Sequence, residues 1–109
     1  MAAAAAYFDI DPEQLTCPVR TQAVAERRQV TQWAVMTFVP NFSGARMAEA
    51  FQRDPTSALH GVRKVRRAIA ENSGLGRVAL DFADHLIKAH GYSRASLVEA
   101  LAQAKQKDE

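Results

Sequence analysis

The stretch SGARMAEAFQRDPTSALHGVRKVRR, residues 43–67, predicts the central element of the fold. It indicates a short helix, a tight turn and a longer basic helix. Only Gln52 and Arg53 separate Phe51, at the end of the first helix, from the helix-capping residue Asp54. So short a turn fixes the angle between two helices, as a helix-turn-helix requires, and the second helix of that motif enters the DNA major groove.

The second helix has a well-defined predicted start. Asp54 can accept a free backbone N–H of the first turn, and Pro55 falls at the first helical position, where its missing N–H costs nothing. Apolar residues then recur at steps of three and four, which predicts one buried stripe formed by Ala58, Leu59, Val62, Val65 and Ile69. The polar and basic residues that lie largely off this stripe are Thr56, Ser57, Arg63, Lys64, Arg66 and Arg67.

This pattern predicts which residues contact DNA. Thr56 and Ser57 occupy the first turn, the part of a recognition helix that touches base edges. The basic residues further along the helix are placed to reach phosphates, and they are Arg63, Lys64 and Arg67. Ser43 is the expected cap of the first helix. Ser43 and Arg46 are also predicted to contact DNA. The expected inner face of this first helix consists of Met47, Ala48 and Phe51.

These residues resemble the C-terminal DNA-binding domain (domain IV) of the bacterial replication initiator DnaA, in the Trp-repressor-like group. The family's hallmark is a Phe and a small turn, then Arg-Asp-His-Thr-Thr, an apolar pair and His-Ala-x-Arg-Lys-Ile. This chain has Phe51 and Gln52, then RDPTSALHGVRKV at residues 53–65. Upstream, Arg28-Gln29 matches the Arg-Gln that opens the family's long helix. The resemblance covers roughly residues 15–88 and implies binding to double-stranded DNA.

The resemblance also implies roles for single residues. Arg28 corresponds to an arginine that reaches into the minor groove, although from the residues alone it is equally a surface charge. Arg63 and Lys64 would help on the DNA backbone. The family's major-groove cluster corresponds to Arg53, Asp54, Thr56 and Ser57. Pro55 stands where the family usually has a base-contacting His, and it has no donor, so the family's usual DNA box is not assumed as the target.

Composition and charge agree with this interpretation. A length of 109 residues predicts one domain. Residues 20–67 hold nine basic and three acidic residues, a local charge of +6, whereas the whole chain carries +2. A basic block that coincides with a helix-turn-helix is typical of nucleic-acid binding, and the alternative is a solvated face of an ordinary helical protein. The single cysteine, Cys17, excludes an internal disulfide and fits a reducing cytoplasm. Binding to DNA would place the protein at the nucleoid.

We expect an all-α, compact bundle of five or six helices in three segments. Residues 1–10 begin with MAAAAAYF, which is too short to span a bilayer, and are expected to be a disordered or frayed tail. Residues 11–90 are expected to form the helix-turn-helix domain. Residues 91–109 are expected to add a C-terminal amphipathic helix and tail. This last helix is expected either to pack on the domain, which is the simpler interpretation, or to dock a partner.

Four further helical segments are predicted. Asp11 and Pro12 can start a short turn at residues 9–16. Thr21 can cap a long helix that ends near Val39, with Val24, Val30, Trp33, Ala34 and Phe38 facing inward. After a stop signal at residues 72–74, a helix is expected over residues 75–89, with Leu75, Val78, Ala79, Phe82 and Leu86 inside. Ser93 can cap the last helix, which has an apolar strip of Leu97, Val98, Leu101 and Ala104.

The sequence favours a binding protein over an enzyme. His60, His85 and His90 show no metal-ligand spacing, and we find no nucleophile–base pair and no phosphate-binding loop, so no metal, no cofactor and no catalysis are predicted. The leading hypothesis is a sequence-specific DNA-binding regulator of transcription, including activation of a phage-derived or gene-transfer cluster. The alternative is an interaction module that has lost specific DNA binding. It would act on RNA polymerase, the replication machinery or another DNA-binding protein through the C-terminal helix. The oligomeric state stays open.

Overall fold

Six helices make up the fold in the part of the chain that this computed structural model describes, residues 2–8, 22–39, 44–51 and 55–107. They are α1 (Ala2–Phe8), α2 (Gln22–Phe38), α3 (Gly44–Ala50), α4 (Pro55–Ala70), α5 (Gly74–His90) and α6 (Arg94–Lys107). These ranges contain no strand. The predicted all-α bundle is therefore confirmed, and α4 begins at Pro55 as the sequence indicates.

Helix α4 lies at the centre of the molecule and contacts α2, α3, α5 and α6. Its predicted stripe is confirmed, because Ala58, Val62 and Val65 are buried and two further members, Leu59 and Ile69, are partly buried. The largest fully buried side chains around it are Trp33, Phe51, Phe82, Met47, Val30, Val62 and Val65. Each such side chain contributes on the order of 1.5–3 kcal/mol to stability, so this core holds the helix-turn-helix in place.

The inner faces of α2 and α3 also agree with the sequence. On α2, the predicted residues Val30, Trp33, Ala34 and Phe38 are buried. On α3, Met47, Ala48 and Phe51 are buried. The Phe51 N–H donates to the carbonyl oxygens of Met47 and Ala48, both at 3.2 Å, and so closes α3 immediately before the turn. The expected caps Thr21, Ser43 and Asp54, the side chain of Val24 and the short turn at residues 9–16 lie outside the described residues.

The connection from α4 to α5 is a tight one, as the stop signal indicates. Asn72 adopts a left-handed backbone with φ of 56°. The Ser73 N–H donates to the carbonyl oxygen of Ala68 at 3.0 Å, and the Asn72 N–H donates to that of Ile69 at 3.1 Å. Since these bonds satisfy carbonyl groups that the end of α4 leaves open, α5 can begin at once with Gly74.

The N-terminal segment differs from the prediction. Residues Ala2–Phe8 form a helix, with Ala4 and Ala5 buried, so the expectation of a disordered or frayed tail is wrong for these residues. Tyr7 and Phe8 place their rings 5.1 Å from the ring of Phe82 on α5. Alanine is the best helix former, and the burial of Ala4 and Ala5 places one face of α1 against the bundle, which composition alone did not indicate.

Two apolar residues are more exposed than predicted. Val78 on α5 is 41% exposed and Val98 on α6 is 60% exposed. On α5, Ala79 is buried as predicted, and Gly76 is buried in addition, because α5 packs closely against the backbone of α4 near Ala68. Elsewhere on α6, Leu97 is buried and Leu101 is partly buried. Helix α6 contacts α4 and α2, so the expectation that it packs on the domain is confirmed.

Candidate nucleic-acid interface

The outer face of α4 carries a continuous polar and basic strip. Thr56 and Ser57 are exposed in the first turn of this 16-residue helix. The next exposed positions follow at steps of three and four: His60, Arg63, Lys64 and Arg67. Residues at these intervals lie on one face of a helix, opposite the buried Val62 and Val65. We call these six residues, Thr56, Ser57, His60, Arg63, Lys64 and Arg67, the α4 strip.

The order in which hydroxyl and cationic side chains follow each other along the α4 strip suits binding in a DNA groove. Hydroxyl groups that donate and accept hydrogen bonds stand at the N-terminus of the helix, and three cations follow toward its C-terminus. A helix of 16 residues is about 24 Å long. Hydroxyls at the entering end can meet base edges while the cations meet the phosphates that flank the groove. His60 was predicted only as a structural or surface residue, and the structure places it within the strip.

Charge is concentrated on α4 beyond the strip as well. Arg66 is partly buried, and burial lowers the pKa of its guanidinium, with a further lowering from the positive charge of Arg63. The group shares a cavity of about 130 Å³ with Thr37 of α2 and Glu99 of α6. Arg63 and Arg66 thus add their positive charges to the basic character of α4.

The arginine predicted for the minor groove does not extend into solvent. Arg28 is only 8% exposed, which agrees neither with a surface charge nor with a side chain that already extends toward DNA. Arg28, Gln29 and Gln32 of α2 line a cavity of about 150 Å³ together with Ser57 of α4. The burial follows from the contact between α2 and α4, which places these polar side chains beside the first turn of the recognition helix. A role for Arg28 on DNA stays a prediction.

The remaining predicted residues divide into two groups. Arg46 is exposed on α3 and has interactions with neighbouring groups. Ser43, Arg53 and Asp54 lie outside the described residues. The structure thus brings Thr56, Ser57, Arg63, Lys64 and Arg67 together on one surface, with Arg46 on the preceding helix. Gln29 and Gln32 were missed, although the glycine at position 61, one helical turn after Ser57, was a signal of close approach in the sequence.

The described residues also bear on metal binding and on membrane insertion. Within the described ranges, no group of three or more His, Cys, Asp or Glu residues is arranged to hold a metal ion. None of the helices described here has the length and apolar character needed to cross a bilayer.

The fold and its exposed strip define a class of protein. An all-α bundle with α3 and α4 joined by a four-residue connection, and with a polar and basic face on α4, is a DNA-binding helix-turn-helix domain. Comparison with protein families shows to which family of this class the chain belongs. Residues 1–65 match the family described as bacterial dnaA protein helix-turn-helix. This is more than half of the chain, and the protein belongs to that family.

The match differs in extent from the resemblance found in the sequence. It begins at residue 1 and ends at Val65, within α4, whereas the resemblance was placed at residues 15–88. The matched part includes α1, α2, α3 and the N-terminal two thirds of α4. Helices α5 and α6 lie beyond it. The family match therefore covers the helix-turn-helix itself. Helices α5 and α6, which lie beyond the match, pack against α4.

Proposed function

We propose that this protein is a sequence-specific regulator of transcription that reads the DNA major groove with α4. One observation carries the proposal: exposed Thr56 and Ser57 in the first turn continue into exposed Arg63, Lys64 and Arg67 on the same helix face. Family membership supports binding to double-stranded DNA. Specificity rests on the two hydroxyl residues, and affinity rests on the cations.

Base recognition is assigned to the first turn of α4. Hydroxyl groups can donate to or accept from base edges, and the Thr56 methyl group can contact a thymine methyl. Arg53 and Asp54 lie outside the described residues. From the family resemblance, we propose that these two residues complete the major-groove cluster. Pro55 at the first helical position has no N–H to donate, so the preferred DNA site is expected to differ from that of relatives with a histidine there.

Regulation of transcription is a function that binding to specific DNA sites can support. We propose that the protein acts at the nucleoid, in the cytoplasm, on promoters that contain its site, with a phage-derived or gene-transfer cluster among the candidate targets. Competition with a replication initiator for shared sites is a related possibility in the same class. Activation would require a second contact, to RNA polymerase or to another DNA-binding protein.

The outer face of α6 is the candidate for that second contact. Val98 is 60% exposed, and Ala95 and Ala102 on the same face are exposed too. The alternative function, a protein-interaction module that no longer reads DNA, would use this same face. A Val98→Lys variant distinguishes a docking role from a packing role, since the exposed side chain adds little to stability.

The test is selection of binding sites from a random duplex library, followed by affinity measurements on the preferred site and on random DNA. If the proposal is right, selection yields a single motif, and Thr56→Ala and Ser57→Ala each weaken binding to that motif by roughly 5–150-fold, corresponding to about 1–3 kcal/mol. Binding to random DNA should change little. A library that yields no motif, or equal loss on both duplexes, would contradict base reading by this turn.

The regulatory part needs its own measurement in cells. The tagged protein is recovered with its bound DNA, and transcripts next to the bound sites are compared with and without the gene. Changed transcripts at motif-containing promoters support regulation. If binding is unaffected but Val98→Lys abolishes the transcript change, the face of α6 is the partner surface.

A further inference from the structure

A glycine brings α4 unusually close to α2 just behind the base-reading turn. A Cβ built on Gly61 would lie 2.9 Å from the Cγ of Gln29 and 2.9 Å from the Oε1 of Gln32. Both distances are well inside ordinary van der Waals contact, which begins near 3.5 Å between carbon atoms. This chain has glycine at position 61 where the family's motif has alanine, so the missing side chain forms a notch on α4, a departure from the family pattern, that receives two polar side chains from α2.

The layer under this turn is polar although it is buried. Gln32 is 2% exposed and Arg28 is 8% exposed. The Oε1 atom of Gln29 is buried and has no hydrogen-bond partner among the described residues. These three side chains line one cavity with Ser57. An apolar layer would contribute more to stability, because buried polar groups are costly unless they are paired. The arrangement thus suggests a role beyond packing.

The notch and the base-reading residues are directly linked by helix geometry. Ser57 precedes Gly61 by four residues, so the two positions are neighbours on the same face of α4. Any change in the separation of α2 and α4 at Gly61 must therefore move the first turn. Hydrogen bonds to base edges depend steeply on distance and angle, and a shift of about 1 Å is enough to lose most of their benefit.

We propose that Gly61, Gln29 and Gln32 are positioning residues for DNA recognition. Gln29 and Gln32 support the first turn of α4, and Gly61 sets how closely that turn is held against α2. Together they fix where Thr56 and Ser57 stand relative to the DNA. The inference rests on the proposed function in one respect, the assignment of base reading to Thr56 and Ser57.

The test is a Gly61→Ala variant together with its designed rescue. The new methyl group collides with the Gln29 Cγ, which lies in mid-chain and cannot swing aside without moving the whole side chain. The double variant Gly61→Ala/Gln29→Ala removes that atom and leaves the Gln29 Cβ at 3.6 Å, an ordinary contact. The other close atom, Gln32 Oε1 at 2.9 Å, is the end of a flexible side chain and can move aside into the space that Gln29 vacates. Gly74→Ala is the matched control, because a Cβ there meets nothing within 4 Å.

Two measurements are made on each variant. One is affinity for the site selected with the parent protein and for a random duplex. The other is the position of the Thr56 and Ser57 backbone amide signals in NMR spectra of the free protein. We expect Gly61→Ala to weaken binding to the selected site about tenfold or more, with random DNA changed by less than about twofold. Both amide signals should shift, and the double variant should return affinity and signals toward the parent values.

Several outcomes would overturn the inference. They are unchanged amide signals in Gly61→Ala, an equal loss on both duplexes, and a double variant that restores nothing. If the parent protein selects no site, the proposed function fails, and the amide signals alone then decide about positioning. If Gly61→Ala does not fold, Gln29→Ala takes its place, since it adds no volume. Unchanged Thr56 and Ser57 signals in Gln29→Ala would also contradict the inference.

Discussion

Gly76 of α5 lies so close to Ala68 of α4 that a Cβ at position 76 would stand 2.7 Å from the carbonyl carbon of Ala68. A backbone atom cannot move aside as the end of a side chain can. The contact lies immediately after the tight connection in which Ser73 donates to the carbonyl oxygen of the same Ala68. Glycine at this position lets α5 cross the rear of the recognition helix at short range.

Gly76→Ala should therefore destabilise the protein although alanine favours helices. We expect a loss of about 1–3 kcal/mol in the free energy of unfolding, because overpacking outweighs the gain of up to about 1 kcal/mol in helix propensity. Urea denaturation followed by circular dichroism measures it. Gly74→Ala, two residues earlier and in open space, should change stability by less than about 0.5 kcal/mol. Equal effects at both positions would refute the close-approach argument.

Gly91, which follows α5, has a left-handed backbone in open space, so a substitution there measures backbone strain alone. Gly91 has φ of 71°, and a Cβ there would meet nothing within 4 Å. Gly91→Ala should cost about 1–2 kcal/mol, which is the penalty of a left-handed backbone for a residue with a side chain. Gly91→Asn should cost less, since Asn tolerates that conformation. Thermal unfolding compares the two, and an Ala variant as stable as the parent would contradict the strain.

Packing of α1 on the bundle is tested by placing glutamate at a buried position of this helix and, as a control, at an exposed one. Ala4 is 2% exposed and Ala6 is exposed. Ala4→Glu forces a charge into the contact of α1 with the bundle and should lower stability by on the order of 1–3 kcal/mol. Ala6→Glu should be within about 0.5 kcal/mol of the parent. Limited proteolysis provides a second measurement, and equal cleavage near the N-terminus in both variants would show that α1 does not dock as described.

The ion pairs of Asp84, with Lys88 on α5 itself and with Arg94 at the start of α6, should make stability depend on pH. A hydrogen bond from Lys88, at 2.9 Å, lowers the pKa of Asp84, and the charges of Lys88 and Arg94 lower it further. A carboxyl group with a depressed pKa in the folded state stabilises the fold above its unfolded value, near 3.8. That contribution is lost as pH falls through the folded value. Asp84→Asn should thus be less stable than the parent at neutral pH, and the two stability curves should converge in acid.

Phosphate binding by the α4 strip predicts a change in salt dependence. Arg63→Ala and Lys64→Ala should weaken binding to all DNA, and each should reduce the slope of log affinity against log salt by about 0.9. Lys88→Ala is the control with the same change in charge, because Lys88 lies on α5 and is paired with Asp84. Fluorescence anisotropy at several salt concentrations measures the slopes. Slopes that fall equally in all three variants would show that only net charge matters.

Local sequence determined the helix-turn-helix motif and the helices from α2 onward, but not α1. The steps of three and four between Ala58, Val62 and Val65 allow only one face of α4 to be buried, and hydrophobic burial leaves Thr56, Arg63 and other polar residues outside. The start at Pro55 and the stop at residues 72–74 follow from backbone chemistry that acts within a few residues. Such short-range effects are visible in a single sequence.

Only the tertiary structure decided which faces meet and how closely. Burial of Arg28 and Gln32, exposure of Val78 and docking of α1 all depend on the distances between helices that are remote in sequence. Gly61 permits the close approach of α4 to α2, and Gly76 permits that of α5 to α4, and the missing side chains have a meaning only when the opposing atoms are known. The sequence by itself thus determined the recognition helix and its chemical face, and packing against α2 and α5 decided where that face is held.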